Sequence, residues 1–229
     1  MGPTGPADGS SDPSPTGAPG GPGTPGGIVV RGARRTFGAT VAVDDMDLVA
    51  PPGEVTALVG PNGAGKTTLL LVLATLLTPD SGTVRIAGHD PVAHPHEVRA
   101  RMGWMPDTFG TYDSLTAREV LEFVAAAYRL PKTRHAARAR ELLALVHLAE
   151  FAERPVHVLS RGQKQRLGLA RAIVHDPAVL LLDEPAAGLD PRSRIELRSI
   201  LRELAAGGRA VLVGGALESA YLAMTEERR

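Results

Sequence analysis

The chain has 229 residues, enough for one well-buried domain with a subdomain but short for two. Its 25 basic and 25 acidic residues cancel, so no net field favours nucleic acid or an anionic membrane. Cysteine is absent, which excludes disulfides, thiolate metal sites and cysteine nucleophiles and fits a cytoplasmic setting, and no apolar run approaches the ~20 residues that span a bilayer. The start, Met1-Gly2-Pro3, has no apolar stretch of the kind a secretory signal needs. Any membrane association is therefore expected to come through a partner.

Residues 1–27 are mostly Gly, Pro, Ser and Thr and have almost nothing to bury, so a disordered tail is expected there. Strands are expected at 28–37 and 41–49, joined by a turn at Gly38-Ala39, and a buried strand at 54–59. A glycine-rich loop follows, then a buried helix over 66–77 and a short strand over 82–87. Thr116-x-x-Glu119 is a capping box opening a helix whose apolar face is Val120, Leu121, Phe123, Val124 and Tyr128, ended by Pro131. A second helix is expected over 136–148, with Leu142, Leu143, Leu145 and Val146 inward. Strand character returns at 178–182 and 210–213, on either side of a helix over 191–206. The order describes a parallel α/β core, residues 28–229, with a helical insertion at about 107–177.

Gly60-Pro61-Asn62-Gly63-Ala64-Gly65-Lys66-Thr67 fits G-x-x-x-x-G-K-[ST], after a strand and before a helix. Polyphosphate demands this arrangement, because glycines let backbone N–H groups converge on phosphate oxygens at the positive end of a helix. Lys66 is expected to reach the β- and γ-phosphates, Thr67 to ligate Mg²⁺, and Thr68 to extend the phosphate contact. A guanine reader of the form Asn-Lys-x-Asp is impossible, since Asn62 is the sole asparagine.

Leu159-Ser160-Arg161-Gly162-Gln163 contains a second capping box, Ser160-x-x-Gln163, which by itself could open any helix. With its continuation Lys164-Gln165-Arg166-Leu167-Gly168-Leu169-Ala170-Arg171-Ala172 it resembles the signature of ABC-type ATP-binding proteins, Leu-Ser-Gly-Gly-Gln, with Arg161 in place of the first glycine. Leu180-Leu181-Leu182-Asp183-Glu184-Pro185 resembles the family's Walker B strand and catalytic glutamate, and Ala187-Gly188-Leu189-Asp190 resembles its D-loop. Phe37-Gly38 before Ala42-Val43 resembles the segment whose aromatic ring stacks on adenine, although a phenylalanine there also reads as core.

The resemblance covers about 28–218 and implies a P-loop NTPase core with a mainly parallel sheet, an N-terminal antiparallel β-subdomain and an inserted helical subdomain. It implies ATP and Mg²⁺ as ligands, with Asp183 on the metal and Glu184 as general base on the attacking water. Ser160, Gly162 and Gln163 would close on ATP held by a second subunit, identical or not, in a head-to-tail dimer. A separate transmembrane permease subunit would be the partner, at the cytoplasmic face of the membrane, with no nucleic acid involved.

Two departures stand out. Asp107, in Met102-Gly103-Trp104-Met105-Pro106-Asp107, occupies the place of a glutamine that reaches Mg²⁺ and the attacking water, and a carboxylate still suits a hard cation. Pro106-Asp107 with Tyr112-x-x-Leu115-Thr116 resembles an exporter-like branch. Ala216 falls where the family's switch histidine follows the last strand, and the last of seven histidines is His175. The chain also stops at Arg229, where relatives usually continue through more strands. The alternatives are a nucleotide-binding subunit with weak or no hydrolysis, or a soluble ABC ATPase outside transport. His89, His94 and His96 lie close in sequence, without acidic or thiol partners at metal-ligand spacing.

Overall fold

The computed structural model describes residues 26–107, 110 and 114–215. Two sheets carry the architecture. In the first, β1 (Ile28–Phe37) lies between β2 (Thr40–Ala50) and β4 (Ser81–Ile86), antiparallel to both. The second contains β3 (Val55–Val59), β5 (Met102–Met105), β6 (Val179–Asp183) and β7 (Ala210–Gly215), all parallel, in the order β3-β7-β6-β5.

Side-chain alternation explains why the parallel strands read as unbroken apolar runs. Val179 and Leu181 of β6, with Ala210 and Leu212 of β7, enter one core together with Leu69, Leu70 and Leu73 of α1 (Lys66–Leu73). Leu180, Leu182, Val211 and Val213 point the other way, into a second core with α5 (Arg161–Ala172) and α6 (Pro191–Ala206). A sheet covered on both faces has no polar side to alternate with. Each leucine so buried contributes about 2 kcal/mol.

α1 is shorter than its apolar pattern suggests. The helix ends at Leu73 because Thr75 turns left-handed at φ 62°, and the amides of Leu76 and Leu77 bond back to the Leu71 carbonyl at 2.9 and 3.2 Å. α2 (Pro95–Arg101) and β5 were not legible as elements; α2 buries only Val98. The inserted helices are α3 (Ala117–Ala127) and α4 (Lys132–Leu145). The Thr116 capping box opens α3 as expected: its hydroxyl accepts from the Glu119 amide, and the Glu119 carboxylate accepts from the Thr116 amide at 2.8 Å. Val120 and Leu121 are buried, but Phe123 and Tyr128 are about half-exposed and lie off the buried face. Among the described residues no helix is long and apolar enough to cross a membrane.

The Gly/Pro-rich tail falls outside the described residues apart from its end, where the Gly27 carbonyl accepts from the Ala87 amide at 2.8 Å. The parallel strands all run toward one edge, so the segments following β3, β5 and β6 emerge side by side. In open α/β sheets that edge is where ligands bind.

Candidate functional site

The loop after β3 shapes the site. Gly63 and Gly65 have φ of 82° and 80°, conformations that side chains with a Cβ resist. Gly65 is also held against β2: a Cβ there would lie 1.9 Å from the Ala42 carbonyl oxygen. This contact brings Thr40, Val41 and Ala42 to the rim of a cleft of about 370 Å³, together with Asn62, Gly63, Lys66, Thr67, Thr68 and Glu184. The antiparallel sheet is therefore part of the site, a role carried in the sequence only by the Phe37-Gly38…Ala42-Val43 segment.

Lys66 is the first residue of α1 and only 9% exposed. Its ammonium donates to the carbonyls of Gly60 at 2.8 Å and Pro61 at 2.9 Å, so the cation sits inside the loop it serves. Its neighbour Thr67 is exposed, and its hydroxyl bonds to Asp183 at the end of β6. Asp183 is 4% exposed, and among the described residues its Oδ1 has no hydrogen-bond partner. Burial pushes its carboxyl above the ordinary range; Glu184 and Asp107 push the same way, while the Thr67 bond and Lys66 oppose them.

A buried, under-bonded carboxylate bonded to the Thr67 hydroxyl and feeling the like charges of Glu184 and Asp107 fits a divalent cation, which would satisfy Oδ1 and offset that charge. Lys66, the loop amides and the start of α1 supply the complementary environment for phosphate oxygens. The donor set present therefore fits Mg²⁺ with a polyphosphate.

Glu184 stands at φ 49°, a left-handed backbone for a side chain of its size, held by a 2.8 Å bond from its amide to the Gly214 carbonyl of β7. Unusual backbone of this kind persists where the surroundings over-determine it. The turn leads through Ala187 and Gly188 into Asp190, which caps α6 by accepting from the Ser193 amide at 3.0 Å.

Ser160, Gly162 and Gln163 occupy the first turn of α5, apart from the residues lining the cleft. The capping box is complete: Ser160 Oγ accepts from the Gln163 amide at 3.2 Å, and Gln163 Oε1 accepts from the Ser160 amide at 2.8 Å. Gly162 is required by packing as well, since a Cβ there would lie 2.5 Å from Ser193 Oγ. Phe37 is 46% exposed at the end of β1, with the Arg35 guanidinium 4.9 Å from its ring centre, so it is not a core residue. Tyr112 and Ala216 lie outside the described residues. No group of three or more metal-ligating side chains of the His, Cys, Asp and Glu types occurs among the described residues, so His89, His94 and His96 form no such cluster.

Comparison with known proteins agrees with this geometry. A family model described as ABC transporter matches residues 43–187. The daunorubicin resistance ATP-binding protein DrrA3 of Streptomyces coeruleorubidus is 42% identical over 186 residues, 81% of this chain and 59% of that protein. The sulfate/thiosulfate import ATP-binding protein CysA of Mycobacterium tuberculosis is 43% identical over 177 residues, 77% of this chain and 50% of that protein. The chain thus spans only about half to three-fifths of these curated relatives. A solved structure of an ATP-binding subunit of an ABC transporter superposes with a TM-score of 0.72 at 29% identity, covering 83% of this chain and 79% of that one. Fold, loop chemistry and these likenesses agree, and the chain belongs to the ABC transporter family of ATP-binding proteins.

Proposed function

We propose that this chain is the ATP-hydrolysing motor subunit of an export-type ABC transporter, driving a separate membrane-spanning permease subunit at the cytoplasmic face of the membrane. The observation that carries the reading is the convergence of Lys66, Thr67 and Glu184 at one cleft, with the buried, under-bonded Asp183 bonded to Thr67. Lys66 and the loop amides from Asn62 to Thr68 would hold the phosphates, and Phe37 would stack on the base. Thr67, Asp183 and Asp107 would hold Mg²⁺, which supplies charge neutralisation on the phosphate oxygens. Glu184 would take the proton of the attacking water. The export direction is supported by Pro106-Asp107 and by the likeness to a drug-resistance protein; the similar identity to a sulfate importer weighs against it.

The test is Mg·ATP binding and turnover by the purified chain. Lys66→Ala should abolish measurable affinity, and Glu184→Gln should keep affinity while removing turnover. Retained affinity in Lys66→Ala would overturn the reading.

A second reading, an ATP-binding subunit with weak turnover, is favoured by one observation: Ala216 offers no donor at the position matching the switch histidine. Losing one preorganised donor typically lowers a rate by about 10²–10³. If this reading holds, Ala216→His should raise kcat without changing Mg·ATP affinity.

A further inference from the structure

Residue 161 is where the chain departs from Leu-Ser-Gly-Gly-Gln, and the structure gives the arginine a defined partner. Arg161 Nε donates to the Ala187 carbonyl at 3.0 Å. Its guanidinium packs over Gly188, where a Cβ would lie 2.8 Å from Arg161 Cζ and where φ is 65°. Bulk at 188 is thus disfavoured by the backbone and would displace the arginine.

The receiving segment is the turn that leaves Glu184. Its internal bonds run from the Ala187 amide to the Glu184 carbonyl at 3.0 Å and from the Leu189 amide to the Ala186 carbonyl at 3.2 Å. One side chain therefore spans from the residue after Ser160 to a turn one hydrogen bond away from Glu184. A glycine at 161 could make no such bond. Close approach of Gly162 to Ser193 fixes the starts of α5 and α6 side by side independently, so Arg161 adds control of the turn rather than of the helix packing.

The geometry points to Arg161 as a positioning residue: a strut that ties the Glu184–Asp190 turn to the first turn of α5, so that engagement of Ser160 by nucleotide on a second chain reaches the carboxylate of Glu184 in this chain's own cleft. The strut rests on the ATPase reading above for its consequence, but not for its existence. Released from the arginine, the turn carrying the left-handed Glu184 has fewer restraints and samples more conformations.

Arg161→Ala and Arg161→Lys in the full chain, compared with wild type, test this through two separable readouts. The first needs no nucleotide: amide hydrogen exchange at Ala187 and Leu189 should quicken about tenfold in Arg161→Ala, the scale of one charge-assisted hydrogen bond, while exchange in α6 beyond Leu197 stays unchanged. The second is kinetic: kcat should fall about tenfold with Mg·ATP affinity and KM held within about twofold, and Arg161→Lys, which keeps a donor, should recover part of both effects. Equal exchange at Ala187 and Leu189 in wild type and Arg161→Ala overturns the strut and leaves the ATPase reading intact. Faster exchange with unaltered kcat, or affinity lost in proportion to kcat, overturns the coupling. A wild-type chain that binds no Mg·ATP sinks the ATPase reading, while the exchange result still decides the strut.

Discussion

Asp183 shows what a binding site costs when it is built from a buried charge. Its carboxylate is desolvated, faces the like charges of Glu184 and Asp107, and leaves Oδ1 unbonded. A carboxyl whose folded pKa is raised is harder to ionise in the fold than in the unfolded chain. The linked stability is therefore lower at neutral pH and recovers as pH falls toward the ordinary value of 3.8. Asp183→Asn keeps the shape and an acceptor for Thr67 while removing the charge. It should raise the ligand-free Tm by a few degrees, the effect of about 1 kcal/mol in a domain of this size, and abolish the further rise that Mg·ATP gives wild type. Thermal scans with and without Mg·ATP check both halves, and a lower ligand-free Tm would refute the account. Gly65 lies at the opposite extreme: a Cβ there would lie 1.9 Å from the Ala42 carbonyl oxygen, which leaves no room for even a methyl group.

At the scale of elements, the junction between the helical insertion and the sheet turns on one histidine. Tyr128, at the end of α3, stacks on His175 with ring centres 3.8 Å apart and planes within 6°. His175 Nε2 bonds to the Met102 carbonyl at the start of β5 at 3.1 Å, whereas Nδ1 is buried without a partner among the described residues. That pattern fits a neutral ring carrying its proton on Nε2. Burial holds its pKa below the ordinary 6.5; the Met102 carbonyl and Asp176 oppose the shift, and Arg138 adds to it. Because the folded form binds the proton less readily, its full contribution to stability is present above pH 6.5 and is lost as pH falls below it. Urea unfolding from pH 7.5 to 5 should show stability declining below pH 6.5 through this group, a decline absent in His175→Phe, which retains an aromatic ring for Tyr128. An unchanged slope in that variant would show that the decline comes from elsewhere.

The same junction shows why parts of the fold were hard to read. α6 was legible to the residue because Asp190, Pro191 and a long apolar period mark it, and α5 because Ser160 and Gln163 close a capping box. β5 has only four residues, begins directly after α2 and owes its strand form to pairing with β6. Even its Gly103 is dictated from outside, since a Cβ there would lie 2.2 Å from the Ala172 carbonyl that ends α5. In the candidate site, Lys66 and Thr67 could be proposed from the loop motif and its strand-to-helix context, and Asp183 and Glu184 from the family resemblance. Arg161's partner was not legible, because Ala187 lies 26 positions away and only the packing of α5 against the turn brings them together. Phe123 misled because helical periodicity does not say how wide a face its neighbours cover.

For the whole molecule, the separation of two candidate anion-binding surfaces carries the strongest consequence. The cleft presents Lys66, the loop amides and Glu184, whereas Ser160 is exposed at the start of α5 and absent from the cleft lining. Ser160 Oγ already accepts the Gln163 amide, leaving its proton and the first amides of α5 to serve an anion from outside. A triphosphate lying in one chain's cleft can be sealed by this surface only if a second chain supplies it, and two-fold symmetry then creates both sites at once. On the proposed function, hydrolysis would dissolve such an assembly by removing the shared γ-phosphate, so the assembly should accumulate only when Glu184 is disabled. In size-exclusion chromatography with light scattering, Glu184→Gln with Mg·ATP should run at twice the monomer mass, and revert when Lys66→Ala is added. Ser160→Arg in the same background should block the dimer sterically while leaving Mg·ATP binding to the monomer within a few-fold of normal, because that side chain makes no contact in its own cleft. A Glu184→Gln chain that holds Mg·ATP yet stays monomeric at micromolar concentrations would exclude self-pairing and require a different chain to supply the second surface.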